Sequence, residues 1–120
     1  MKVLLVDDEV EFVSTLAERL SLRGIDVEYA ITGAEALKKA DNNFFDVAVL
    51  DLKMPKIGGL ELKKKLLEKH PAMKFIFSTG YVSEEEFKVI SKQIGGEFYL
   101  IKPLEIKNLI EKINSVFRQS

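Results

Sequence analysis

The 120-residue chain contains no cysteine, which excludes disulfide scaffolds, thiol catalysis and thiolate zinc sites. Its single histidine, His70, excludes a histidine-cluster metal centre. An excess of one charge is missing too: 18 Lys and Arg stand against 19 Asp and Glu, for a net charge of -1. No basic field is available to hold a nucleic-acid backbone, so direct nucleic-acid binding is not expected. The opening apolar run, Val3 to Val6, ends in Asp7 and Asp8 and is too short for a signal peptide or a membrane span. A cytoplasmic location without a membrane partner is expected. Chemistry, if any, has to come from carboxylates, hydroxyls and lysines.

What is present has the balance of a folded domain. With 47% apolar and 31% charged residues the chain can fill an interior and solvate a surface, and its length predicts one domain over residues 1–120. Short apolar runs rich in β-branched residues alternate with longer stretches of helical period, the pattern of βα units around a parallel sheet. The runs predict strands over Lys2–Asp7, Asp26–Ala30, Asp46–Leu50, Lys74–Ser78 and Phe98–Ile101. Val3 to Val6 and Val47 to Leu50 are continuously apolar, as strands covered on both faces must be, and are expected at the centre. A first helix near Val10 to Arg23 presents Val13, Leu16, Ala17 and Leu20 on one face, with Gly24 as its stop. Asp8 with Glu11, Thr32 with Glu35 and Ser83 with Glu86 have capping-box spacing at helices one, two and four. Helix three is expected from about Gly59 to Lys69, closed by Pro71. Helix four turns Phe87, Ile90 and Ile94 inward and stops at Gly95 and Gly96. Helix five carries Ile106, Leu109, Ile110, Ile113 and Phe117 on one stripe. There is no internal repeat, low-complexity segment or linker. An end three residues past helix five suits either a whole protein or a piece of a longer one.

In an open parallel sheet, ligands bind beyond the carboxyl ends of the strands, where the connections switch direction. There the chain places Asp7 and Asp8 after the first strand, Asp51 after the third, Thr79 after the fourth and Lys102 after the fifth. Two ionised carboxylates about 4 Å apart repel by roughly 4 kcal/mol at an effective dielectric near 20, so three cannot all stay ionised unaided. Either one is protonated or a hard divalent ion such as magnesium joins them. A lysine beside a metal and a carboxylate is what an incoming phosphoryl group needs, with cations on its oxygens and an acid oxygen as nucleophile. The cluster reads as an aspartyl-phosphate site.

The set Val6-Asp7-Asp8, Leu50-Asp51, Met54-Pro55, Thr79-Gly80 and Lys102-Pro103 resembles the receiver domain of bacterial two-component response regulators, and the resemblance runs the length of the chain. It implies a flavodoxin-like (βα)5 fold: a doubly wound, five-stranded parallel sheet of order 2-1-3-4-5 in three α/β/α layers. It implies that Asp51 accepts a phosphoryl group from the phosphohistidine of a sensor histidine kinase or a phosphotransfer protein, in a reaction that needs Mg2+ or, as a substitute, Mn2+. Such a domain is no enzyme with a separate substrate; it catalyses its own phosphorylation and dephosphorylation. By the same resemblance Asp8, Asp51 and the Lys53 backbone carbonyl would ligate the metal, Asp7 would act through a metal-bound water, and Thr79 and Lys102 would bind phosphoryl oxygens. Lys102-Pro103 would be a cis peptide, aiming the lysine at the site. Tyr99 would be an aromatic switch, turning inward as Thr79 moves toward the phosphate. The readout face would be helix four, strand five and helix five, addressed to an output domain or downstream protein and to a homodimer formed on phosphorylation. Lys53 and Tyr81, two positions beyond Asp51 and Thr79, would tune water access to the acyl phosphate, with Tyr81 shielding it and slowing hydrolysis.

Plainer readings stand beside these. An isolated Asp-Asp pair is a strand exit and an N-cap, Ser78 rivals Thr79 for the hydroxyl role, and Tyr99 is also an ordinary strand aromatic. His70 is expected to complement the dipole of helix three. Lys63, Lys64 and Lys65 fan around a solvated helix face, Glu84, Glu85 and Glu86 suit a first helical turn, and Lys38 and Lys39 carry no specific signal. Gly58 departs from the family, which usually has Asp or Asn there, so a helix cap is missing and a more mobile loop is expected. Three other functions are weaker. A pseudo-receiver would not need the intact acidic, hydroxyl and lysine set. A phosphatase of the haloacid dehalogenase type needs an acid where Lys53 stands. A flavin protein needs a phosphate loop after the first strand, and none follows.

Overall fold

The computed structural model describes residues 1–80, 83–94 and 99–118, without the side chains of residues 87, 90, 91, 93 and 94. Strands and helices alternate along the chain: β1 (Lys2–Val6), α1 (Val10–Leu22), β2 (Asp26–Ala30), α2 (Gly33–Asn42), β3 (Val47–Asp51), α3 (Gly59–Lys69), β4 (Lys74–Thr79), α4 (Glu84–Ile94), β5 (Tyr99–Ile101) and α5 (Ile106–Arg118). The sheet is parallel in the order β2-β1-β3-β4-β5, the expected flavodoxin-like arrangement. The two continuously apolar strands lie inside it, because each has both faces covered.

Strand alternation divides the interior in two. Leu4, Val6, Leu50, Phe75 and Phe77 pack with Leu62 and Leu66 of α3 on one face. Val3, Leu5, Val49 and Ile76 pack with Leu16 and Leu20 of α1 and Leu109 and Ile113 of α5 on the other. Carrying the alternation one residue further sends Asp7, Asp51 and Ser78 toward the α1/α5 side and Thr79 toward the α3 side.

Several details differ from the sequence-based expectations. β3 starts at Val47, and the Asp46 carboxylate just before it accepts the Lys2 backbone N–H at 2.7 Å. β1 stops at Val6 and β4 runs one residue longer, to Thr79. The Asp8–Glu11 capping box does not form: α1 is capped by Glu9, whose side chain makes no capping bond, so the third helical position is Phe12 and cannot reciprocate. The Thr32 and Ser83 caps do form, at 3.0 and 3.1 Å from the Glu35 and Glu86 N–H groups. Gly24 ends α1 at φ 81°, and Gly58 caps α3 with no side-chain bond. On α5, Val116 is buried and Phe117 is 44% exposed, since 109, 113 and 116 share a tighter stripe than 109, 113 and 117. His70 serves α2 instead of α3: its Nε2–H donates to the Ala40 carbonyl at 2.9 Å. Lys64 and Lys65 are exposed, while Lys63 is half-buried and lies over the Phe75 and Phe77 rings, 5.9 and 5.8 Å from their centroids. Lys39 donates to the Tyr29 carbonyl at 2.7 Å. The expectations for Tyr81, for Phe87, Ile90 and Ile94 as inward side chains, for the Gly95–Gly96 stop and for Phe98 lie outside the described residues.

Candidate functional site

Parallel strands bring their carboxyl ends to one rim, and four of them deliver the site. Asp7 extends the β1 ladder by donating its N–H to the Ala30 carbonyl at 3.1 Å, which holds the residue at the rim while its side chain stays buried. Asp51 closes β3 opposite Ser78 in the register and is 4% exposed. Asp8 is exposed. The three carboxylates offer oxygens that all lie within 4.8 Å of one another. Asp7 Oδ1 also accepts the Glu9 N–H at 2.9 Å, and Asp51 Oδ1 accepts the Lys53 N–H at 3.2 Å.

Lys102 supplies the opposing charge. It follows β5, where its N–H donates to the Thr79 carbonyl at 2.7 Å, and the Lys102–Pro103 peptide is cis. Its Nζ lies 2.7 Å from Asp7 Oδ2, 3.1 Å from Glu9 Oε1 and 3.4 Å from Asp51 Oδ2, with the Phe12 ring centroid 5.2 Å away. Burial alone would lower the lysine pKa, but the surrounding Asp7, Glu9 and Asp51 carboxylates override it and raise it, so the ammonium is permanent. The Asp51 pKa rises too, which for a carboxylate disfavours the charged form. Burial first and the Asp7 charge second raise its pKa, and Lys102 and the Lys53 N–H only partly counter them. One positive charge does not neutralise the cluster, and the remaining carboxylate oxygens suit a hard divalent cation.

Thr79 is completely buried, and among the described residues its hydroxyl has no hydrogen-bond partner. A buried hydroxyl left unpaired costs stability, and it is suited to an acceptor that comes and goes. Ser78 faces the other way, lining a small cavity with Asp7, Leu5, Val13 and Leu104. Tyr99 pairs opposite Phe77 and is buried on the same side as Thr79, where burial raises its phenol pKa. The Lys53 side chain turns out to Glu86 in the first turn of α4, at 3.0 Å, and that contact holds the Glu86 carboxyl below its ordinary pKa. Gly59 lets α3 approach the end of β3: a Cβ there would sit 2.6 Å from the Asp51 carbonyl oxygen.

Two residues at the site escaped the sequence reading, Glu9 and Phe12. The signal for Glu9 was a third consecutive acid at the strand exit; Phe12 gave none, since an aromatic on a helix reads as core.

The sequence model for the response regulator receiver domain matches residues 3–114. The chain belongs to this family. The receiver domain is 35% identical over 120 residues to the alkaline phosphatase synthesis transcriptional regulatory protein PhoP of Bacillus subtilis, covering 99% of this chain and 49% of that protein. It is also 35% identical over 119 residues to the transcriptional regulatory protein CpxR of Escherichia coli, covering 99% and 50%. It thus spans about half the length of these relatives. Among solved structures, it superposes on a CheY-like receiver domain protein of Methanospirillum hungatei with a TM-score of 0.84 at 37% identity, covering 97% and 92% of the two chains. It resembles a Burkholderia pseudomallei response regulator, solved with a phosphorylated aspartic acid, calcium ion and citrate, with a TM-score of 0.79 at 32% identity, covering 92% and 65%. As a member of this family the receiver domain is a phosphoacceptor switch of two-component signal transduction. Among its described residues no helix is long and apolar enough to cross a membrane.

Proposed function

We propose that Asp51 takes the phosphoryl group, that residues 1–120 act as one receiver unit, and that this unit catalyses its own modification. The observation that carries this is the convergence on one rim of a buried Asp51, a charged Lys102 at 3.4 Å and a buried Thr79 hydroxyl without a partner among the described residues. An Asp51 carboxylate oxygen attacks the phosphorus of a phosphohistidine on a sensor kinase or phosphotransfer protein; the P–N bond breaks and its electron pair returns to the imidazole, which takes a proton from solvent. Lys102 offsets the charge on the transferred oxygens, and Thr79 donates to one of them the hydrogen bond it otherwise lacks. Asp7, Asp8, Asp51 and the Lys53 carbonyl would hold Mg2+, or Mn2+ in its place, which supplies further positive charge to the phosphoryl oxygens. Burial and the neighbouring charges keep Asp51 a reactive anion only while cations accompany it.

Thr79 and Tyr99 share a side of the sheet, which supports their coupling as a switch that alters the face formed by α4, β5 and α5. That face would address an output domain or downstream protein, or a second copy of the chain on phosphorylation. Lys53 and Tyr81 would set how readily water reaches the acyl phosphate. The test is incubation with acetyl phosphate and Mg2+, read by intact mass. Asp51→Asn should abolish the adduct, and Thr79→Ala should slow its formation on the order of 10²-fold, the usual loss for one oxyanion donor. An adduct at full level on Asp51→Asn refutes the assignment.

A further inference from the structure

Three carboxylates crowd the Lys102 ammonium: Glu9 and Asp51 accept its N–H groups at 3.1 and 3.4 Å, and Asp7 Oδ2 is ion-paired with it at 2.7 Å. A phosphoryl oxygen arriving at Asp51 has to enter this shell, and the carboxylate held least firmly gives way. The Asp7 and Asp51 side chains are 4% and 6% exposed and that of Glu9 is 63% exposed. A buried carboxylate that loses its cation stays desolvated and uncompensated, whereas Glu9 returns to water at little cost. Glu9 is the partner that leaves.

A second observation points the same way. Glu9 is the N-cap of α1, a position that favours Asn, Asp, Ser, Thr or Gly, and its side chain makes no capping bond. The helix draws no capping bond from the glutamate, only the general attraction of an acid to its N-terminus. The side chain is spent on a lysine 93 positions away in the chain.

We infer that Glu9 is a positioning residue, a stand-in anion that holds Lys102 at the site between modification events and yields it to the phosphoryl group. The inference rests on Asp51 being the phosphoacceptor. Glu9 then competes with the incoming phosphodonor, both for Lys102 and through its own negative charge beside the path of an anion. Removing that charge should lower the donor concentration needed for half-maximal rate, and leave the maximal rate within about twofold. From the repulsion of a carboxylate and a dianion about 5 Å apart in screened water, the drop should be roughly three- to tenfold.

The experiment uses the full chain with acetyl phosphate and Mg2+, taking initial rates against donor concentration, with the adduct located at Asp51 by mass and stability read by thermal unfolding. Glu9→Gln and Glu9→Ser are compared with the parent chain. Both should show the lower half-saturating concentration, and Glu9→Ser, which introduces a capping hydroxyl, should unfold at the same or a higher temperature. If both variants keep or raise the half-saturating concentration while the parent chain labels at Asp51, Glu9 is only a structural tie and the inference is wrong. If the parent chain takes no adduct at Asp51, the phosphoacceptor assignment itself falls and this inference falls with it.

Discussion

Replacing Gly59 by alanine sets a single methyl group against the backbone of Asp51. The added Cβ would lie 2.6 Å from the Asp51 carbonyl oxygen and 3.1 Å from both the Asp51 carbonyl carbon and the Leu52 Cα. Ordinary contact begins at 3.4 Å, so α3 and the end of β3 must separate by about 0.8 Å. Both walls are main chain, and no flexible side chain can give way. Overpacking of this kind costs about 1–3 kcal/mol, against a gain of up to about 1 kcal/mol from replacing glycine at a helical position. A net loss of about 1–2 kcal/mol should lower Tm by roughly 4–8 °C for a domain of this size. The same displacement moves the Asp51 main chain relative to Lys102 and Thr79, so the acetyl phosphate reaction should slow as well. Gly58 is the control. Its φ of -78° is ordinary and it caps α3 without a side-chain bond, while a Cβ there would meet only the Leu52 carbonyl oxygen at 3.1 Å, a contact relieved by a shift of a few tenths of an ångström. Gly58→Asp should therefore lower Tm less than Gly59→Ala, because a capping bond worth a few tenths of a kcal/mol and the helix dipole offset the milder contact. Thermal and urea unfolding of the two variants decide the matter. A Gly59→Ala chain that melts with the parent and labels at the same rate would refute the close-approach reasoning.

Two further outcomes follow from the electrostatics and the backbone. Because the folded state raises the Asp51 pKa, folded Asp51 holds its proton more tightly than the unfolded chain, and its ionisation costs stability as pH rises through the folded value. In metal-free buffer Asp51→Asn should thus melt above the parent chain at neutral pH, with the gap closing below the ordinary carboxylate range; a gap that is absent, or the same at every pH, contradicts this. Lys56 sits at φ 66°, a conformation that costs an L-residue about 1–2 kcal/mol. Allowing for the greater unfolded-state freedom of glycine, Lys56→Gly should stabilise by about 0.5–1 kcal/mol, and an unchanged urea midpoint would show that the loop carries no such cost.

The sheet was legible because parallel strands buried on both faces are written as unbroken apolar runs, as in Val3 to Val6 and Val47 to Leu50. The rim was legible for a related reason: Asp7, Asp51, Thr79 and Lys102 each interrupt such a run where a strand ends. What the sequence hid depends on neighbours far along the chain. The partner of Glu9 is Lys102, Lys63 covers rings from β4, and His70 reaches back to a carbonyl of α2; none of these distances has a local signature. The Asp8–Glu11 spacing misled because a helix start was judged from local capping alone, while α1 begins one residue later, after an Asp8 whose carboxylate joins the acidic cluster.

The alternation of strand side chains places the lysine and the acids over one half of the interior and Thr79 over the other. These two apolar halves otherwise meet only through the strands between them. A group held at once by Lys102 and Thr79 would therefore act as a staple across the end of the sheet.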